Sequence, residues 1–124
     1  MKFFLKITAF FELATGLGLL FIPKIVILIL LGTTLDGAGA NITGMVAGTA
    51  LIAIAYACWL AQDSGAVLIR PLLLYNTVVA GVLFFGFLNF KLISYGLWLT
   101  IVLHTVFSVW SLLLLLRIKE LKKN

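Results

Sequence analysis

The stretch Leu92–Leu116 reads LISYGLWLTIVLHTVFSVWSLLLLL, and no charged side chain falls between Lys91 and Arg117. A helix rises ~1.5 Å per residue, so about 20 apolar residues cross a hydrocarbon core ~30 Å thick. This stretch is long enough to do so. It ends in Arg117-Ile118-Lys119, a basic flank of the kind that holds a span at a membrane surface.

Three further apolar lengths precede it, Phe3–Ile22, Ile42–Ala61 and Pro71–Phe90. The prediction is an all-α fold: a four-transmembrane-helix bundle, one membrane domain over 1–124, with spans at 3–22, 42–61, 71–90 and 92–116. Composition agrees. The chain is 64% hydrophobic and 10% charged, whereas soluble domains average about 25% charged residues. A soluble domain of this size buries only ~60–70% of its chain's surface and could not hide so much apolar area. Lys2 and Lys6 ahead of an apolar run give the N-terminus the outline of a signal peptide. The run is longer than an h-region and carries Glu12, so it is read as a retained first span.

Pro23 and Lys24 interrupt the apolar sequence before Ile25–Leu31. Proline is accepted in a helix's first turn and breaks its interior. Two readings are open: a short helix begun by Pro23 at the outer interface, or a kinked continuation of the first span to Leu31. Gly32–Asn41 and Gln62–Arg70, the latter with Asp63, Ser64 and Gly65, read as loops. Pro71 is expected in the first turn of the third span, and Asn89-Phe90-Lys91 as a tight connection.

The formal charge is +5, and its distribution sets the orientation. With the N-terminus inside, Lys2, Lys6, Arg70, Arg117, Lys119, Lys122 and Lys123 lie on one side and only Lys24 and Lys91 on the other. Basic residues collect in cytoplasmic loops. The expectation is a multi-pass protein of the cell inner membrane with both termini cytoplasmic. Basic flanks of this kind are not a nucleic-acid surface. Anionic lipid headgroups are the expected partners of Arg117, Lys119, Lys122 and Lys123.

Cys58 is the only cysteine, so no disulfide, CxxC pair or thiolate metal cluster forms within one chain. His104 is the only histidine, so bis-histidine haem ligation within one chain is ruled out as well. No metal and no cofactor are expected.

Ionisable groups within a span cost ~2.5–3.5 kcal/mol on insertion scales and need an explanation. By helical rise, Glu12 lies about 12 Å from the inner boundary and His104 about 18 Å. Glu12 must face the bundle interior, be protonated, or both. Either it is a structural carboxyl hydrogen-bonded to a neighbouring helix, or it is a functional proton site. His104 is its natural candidate partner, with Thr100, Thr105 or Ser108 available to satisfy the imidazole. Tyr56 and Asn76 sit at about 7–8 Å by the same rise. Glu12, Tyr56, Asn76 and His104 are therefore the candidate intramembrane polar site, converging on one pocket if all point inward. Gly44 and Gly48 have GxxxG spacing and are the candidate helix-packing pair, used within the bundle or in a dimer.

Thr15-Gly16, Phe21-Ile22-Pro23, a short apolar segment and then Gly44 to Gly48 resemble the DoxX-like small four-helix membrane proteins. Ala57-Cys58-Trp59-Leu60-Ala61, Leu74-Tyr75-Asn76 and His104 look like a recurrent pattern among uncharacterised bacterial four-span proteins, and the resemblance covers nearly the whole chain. It implies a four-helix bundle, in such families often accessory to other membrane systems or without assigned activity, and carries over no catalytic residues. Glu12 in the first span, with Ala55-Tyr56-Ala57-Cys58-Trp59, also looks similar to the small multidrug transporters. Their aromatic stretch lies in the third span, this one in the second, and the charge bias here is strong. The expected function is a non-enzymatic accessory or interaction subunit, as a homo-oligomer or in a larger membrane complex. The alternative is a proton-coupled small-molecule transporter using Glu12. A lipid- or quinone-linked enzyme would require Glu12 and His104 to meet at an open pocket.

Overall fold

In the computed structural model, residues 1–63 and 66–121 are described. They form five helices: α1 Lys2–Phe21, α2 Pro23–Leu31, α3 Ala38–Leu60, α4 Ala66–Phe90 and α5 Tyr95–Leu121. α1, α3, α4 and α5 are each long and apolar enough to cross a membrane. The chain is thus built as a small multi-pass membrane protein. Ser64, Gly65, Lys122 and Lys123, expected in a loop and in the basic tail, lie outside the described residues.

Pro23 settles the break between α1 and α2. Ile22 leaves the helical region at φ −137° and ψ 53°, and Pro23 starts a new helix. The amides of Ile25 and Val26 bond back to the Ile22 carbonyl. The segment is therefore a separate short helix, not a kinked extension. It folds back over the end of α1, close enough that a Cβ on Gly18 would lie 2.8 Å from Val26 Cγ2. α2 ends at Gly32, whose φ of 69° is left-handed and suits glycine. Ser94 Oγ donates to the Ile29 carbonyl at 2.9 Å, and Gly96 abuts the same carbonyl, fastening α2 to the start of α5.

Two loops are shorter than the sequence predicts and one is longer. α3 begins at Ala38 and α4 at Ala66, whereas α5 begins only at Tyr95 and not at Leu92. Pro71 therefore sits inside α4 and not in its first turn. The reason is local: Pro71 withholds one amide from the carbonyl of Val67, and Val67 is 79% exposed at the helix end, where that carbonyl can find another donor.

The four long helices form two close pairs, α1 with α3 and α4 with α5. Glycine makes the first approach. A Cβ on Gly48 would lie 2.6 Å from the Gly16 carbonyl oxygen and 2.7 Å from the Leu20 amide, and Gly44 faces Pro23 and Leu35. Without a hydrophobic drive between helices in lipid, backbone proximity of this kind supplies the packing energy. The pairs meet through large side chains: Phe4 packs edge-on against Phe107 and Trp110, with centroids 5.9 and 5.3 Å away. The start of α1 and the end of α5 lie at this end of the bundle, where Lys2 pairs with Asp63 just beyond α3. Phe4, Leu5, Ala9, Cys58, Ile69, Leu72 and Phe107 make an apolar core here. The polar residues lie above it.

Candidate functional site

Helix register decides which polar groups turn inward. The buried stripe of α1 holds Phe4, Leu5, Thr8, Ala9, Glu12, Gly16 and Leu19, successive turns of one face. Glu12 falls on it and is only 4% exposed. On α5 the stripe is Leu97, His104, Phe107, Ser111, and on α4 it is Ile69, Leu72, Asn76, Gly86. Glu12, Asn76 and His104 are thus carried inward by three different helices.

Tyr56 is not. α3 buries Gly44, Gly48, Ala55 and Cys58, and Tyr56 is turned about 100° from Ala55. It is 64% exposed and lines a shallow outer groove with Lys6, Phe10 and Trp59. The tyrosine that joins the inner cluster is Tyr75, the neighbour of Asn76. Its hydroxyl donates to Glu12 Oε2 at 3.2 Å, and its ring stands edge-on to His104 at 5.7 Å. The signal in the sequence was its adjacency to Asn76, about one helical turn nearer the inner boundary than Glu12; a tyrosine's long reach lets it serve a neighbouring helix from beside the stripe.

Asn76 fixes the chemistry of His104. Its Nδ2 donates to the Leu72 carbonyl at 2.8 Å, so its Oδ1 is the free acceptor, 2.7 Å from His104 Nδ1. Turning the amide round would set two oxygens against each other. Nδ1 therefore carries the hydrogen and donates, and Nε2 of the neutral ring holds a lone pair. The hydroxyls expected to serve His104 are committed elsewhere. Thr100 donates to Gly96, Thr105 to Ile101, and Thr77 donates to Ser108 at 3.1 Å.

Glu12 and His104 do not bond each other. Tyr75 stands between them, and all three line one cavity of about 420 Å³. Thr15 and Thr100 add polar edges, while Phe11, Leu51, Leu99 and Leu103 make the rest of the wall apolar. Leu30 of α2 also lines the space, so the short helix contributes to one side of it. Directly below, Thr8 Oγ1 and Ser111 Oγ are buried without a hydrogen-bond partner. Among the described residues, no three His, Cys, Asp or Glu side chains gather as a metal site requires.

The cavity thus presents acceptors. Glu12 keeps one oxygen beyond its bond to Tyr75, His104 keeps the Nε2 lone pair, and Thr100 Oγ1 has given its hydrogen to Gly96. Comparison of the chain with family models, with curated proteins and with solved structures finds no match.

Proposed function

We propose that this membrane protein binds a small amphipathic molecule carrying N–H or O–H donors in the Glu12–Tyr75–His104 cavity, with a proton on Glu12 exchanged for the ligand's positive charge. One observation carries the reading: the buried carboxyl, the tyrosine bound to it and the histidine line a single cavity whose remaining wall is apolar. An acceptor-rich recess selects donors, since an unmatched donor or acceptor in apolar surroundings costs about 1–3 kcal/mol. An ionised carboxyl at this depth needs a neutralising partner. A proton serves in the empty site, and a protonated amine serves in the filled one. That exchange is the elementary step of a proton-coupled small-molecule transporter using Glu12. The same reading sets the termini on the cytoplasmic side of an inner membrane, on the Lys and Arg asymmetry, and α2 at the outer interface.

The test uses the purified protein in neutral detergent and weak buffer, with tryptamine and hexylamine as probes. Addition of either should release protons in proportion to binding, and Glu12→Gln should abolish the release while leaving the helical circular-dichroism spectrum intact. Equal proton release by Glu12→Gln, or no binding of either amine, overturns the reading.

A second reading, as a non-enzymatic accessory subunit of a larger assembly in keeping with the DoxX-like resemblance, is favoured by α5. Only 11% of its most apolar window is buried, against 39% for α1. Co-purification of a stoichiometric membrane partner, lost on placing Trp at Val102 or Val109 of that outer face, would support it. A chain that purifies alone from its native membrane would remove it.

A further inference from the structure

A second recess lies away from the cavity, at the end of the bundle where α1 begins and α5 ends. It is a groove of about 690 Å³ between the start of α4 and the end of α5. Its floor is apolar, from Val67, Leu115, Leu116 and Ile118, and its rim carries Arg70 from one helix and Lys119 from the other. Among the described residues no acidic side chain lines it; Glu120 follows Lys119 on α5 and is turned about 100° around the helix. We propose that this groove is a binding site for an anionic phospholipid, its phosphate held between Arg70 and Lys119 and its acyl chains laid along Val67, Leu115 and Ile118.

Charge and shape argue for the same occupant. Two cations on separate helices at one rim leave an uncompensated positive charge over an apolar surface, which matches a lipid's anionic head above its chains. Arg70 offers a planar fork that meets two phosphate oxygens, and Lys119 adds a point charge. Basic pockets between helices at a membrane face are suited to anionic headgroups. The volume falls within the ~300–1,000 Å³ range of ligand recesses. The site is independent of the amine cavity and rests only on the chain's residence in a membrane.

The experiment measures lipid binding to the full chain in dodecyl maltoside by native mass spectrometry, with phosphatidylglycerol and phosphatidylcholine as the two arms. Phosphatidylglycerol should bind preferentially. Arg70→Gln and Lys119→Gln should each weaken it about fivefold, the factor equivalent to one near-surface cation. Lys6→Gln, an exposed basic residue at the same end but outside the groove, should change it less than twofold, and Arg70→Lys should retain most of the binding. Should Arg70→Gln fail to fold, Lys119→Gln carries the test. Three outcomes overturn the proposal: equal binding of phosphatidylcholine, an equal loss in Lys6→Gln that would make the attraction diffuse, or displacement of the lipid by glycerol phosphate at matched concentration. A chain that stays dispersed without detergent would instead defeat the membrane reading, so the two failures are distinguishable.

Discussion

Asn76 Oδ1 and His104 Nδ1 face each other across α4 and α5 at 2.7 Å, in a setting where Asn76 has no exposed surface. The amide is oriented by its own bond to Leu72 and in turn orients the imidazole, so a backbone carbonyl on one helix selects the tautomer of a histidine on another. The second nitrogen of His104 is thereby reserved as an acceptor beside a carboxyl and a tyrosine.

Removing the amide should therefore do two separable things. Asn76→Ala leaves His104 Nδ1 without a partner, and the cost in unfolding by SDS titration in mixed micelles should be about 1–2 kcal/mol, at the upper end for interhelical bonds in membranes. Nitrogen-15 NMR of the labelled histidine should show Nδ1 protonated in the parent and a mixture of tautomers in the variant. A variant that keeps a pure Nδ1–H tautomer would mean that Asn76 does not set it.

The contact of α1 and α3 makes a sharper steric prediction. An added methyl at Gly48 meets the Gly16 oxygen and the Leu20 amide, which are backbone atoms and cannot swing aside. Gly48→Ala should destabilise by about 1–3 kcal/mol, the usual cost of overpacking. Gly81, with nothing within 4 Å of its missing Cβ, is the control: Gly81→Ala should be neutral or gain up to ~1 kcal/mol of helix propensity. Equal losses at both positions would show that the α1–α3 approach does not depend on Gly48.

These cases mark what a single sequence can convey. Long apolar lengths and flanking charges expose span number, because lipid imposes one length and one polarity on every crossing helix. Pro23 exposes a break for the same local reason. Helix ends were less legible, since Ala38–Asn41 and Ala66–Arg70 are compatible with loop or helix and tertiary packing chooses. Within the site, Glu12, Asn76 and His104 stood out by polarity. The exclusion of Tyr56 and the inclusion of Tyr75 turned on about 100° of helix rotation, which the nearly uniform hydrophobicity of these spans leaves unwritten.

Lys2 and Asp63 join the start of α1 to the residues just after α3, and the pair supplies a pH test at the surface. The hydrogen bond and charge of Lys2, with Lys6 adding to them, hold the Asp63 carboxyl below its usual range. A depressed carboxyl stabilises the fold wherever it is ionised in both states, and this contribution disappears as pH falls through the lower, folded value. Both groups stand in water, so salt screens the attraction. Asp63→Asn should leave the unfolding midpoint at pH 7 unchanged within error. It should also remove part of any salt-sensitive loss of stability below about pH 4, where the free carboxyl protonates. A large loss at neutral pH would mean that the pair anchors the helix ends instead of decorating them.

Thr8 and Ser111 carry the last prediction, because they break the rule that buried polar atoms are paired. Each hydroxyl is fully enclosed and, among the described residues, unpartnered, one turn on from Phe4 in α1 and from Phe107 in α5. A hydroxyl left unmatched in apolar surroundings costs about 1–3 kcal/mol, and replacing it by a group of the same shape recovers that cost. Thr8→Val changes one hydroxyl to a methyl with almost no change in volume, so it should stabilise the bundle, with Ser111→Ala smaller because it removes packing atoms as well. SDS unfolding of the two single variants and the double variant measures both gains. Sites without shared partners usually add, so the double variant should gain the sum of the two single gains within about 0.5 kcal/mol. A loss of stability in either single variant would show that its hydroxyl is matched in the folded bundle.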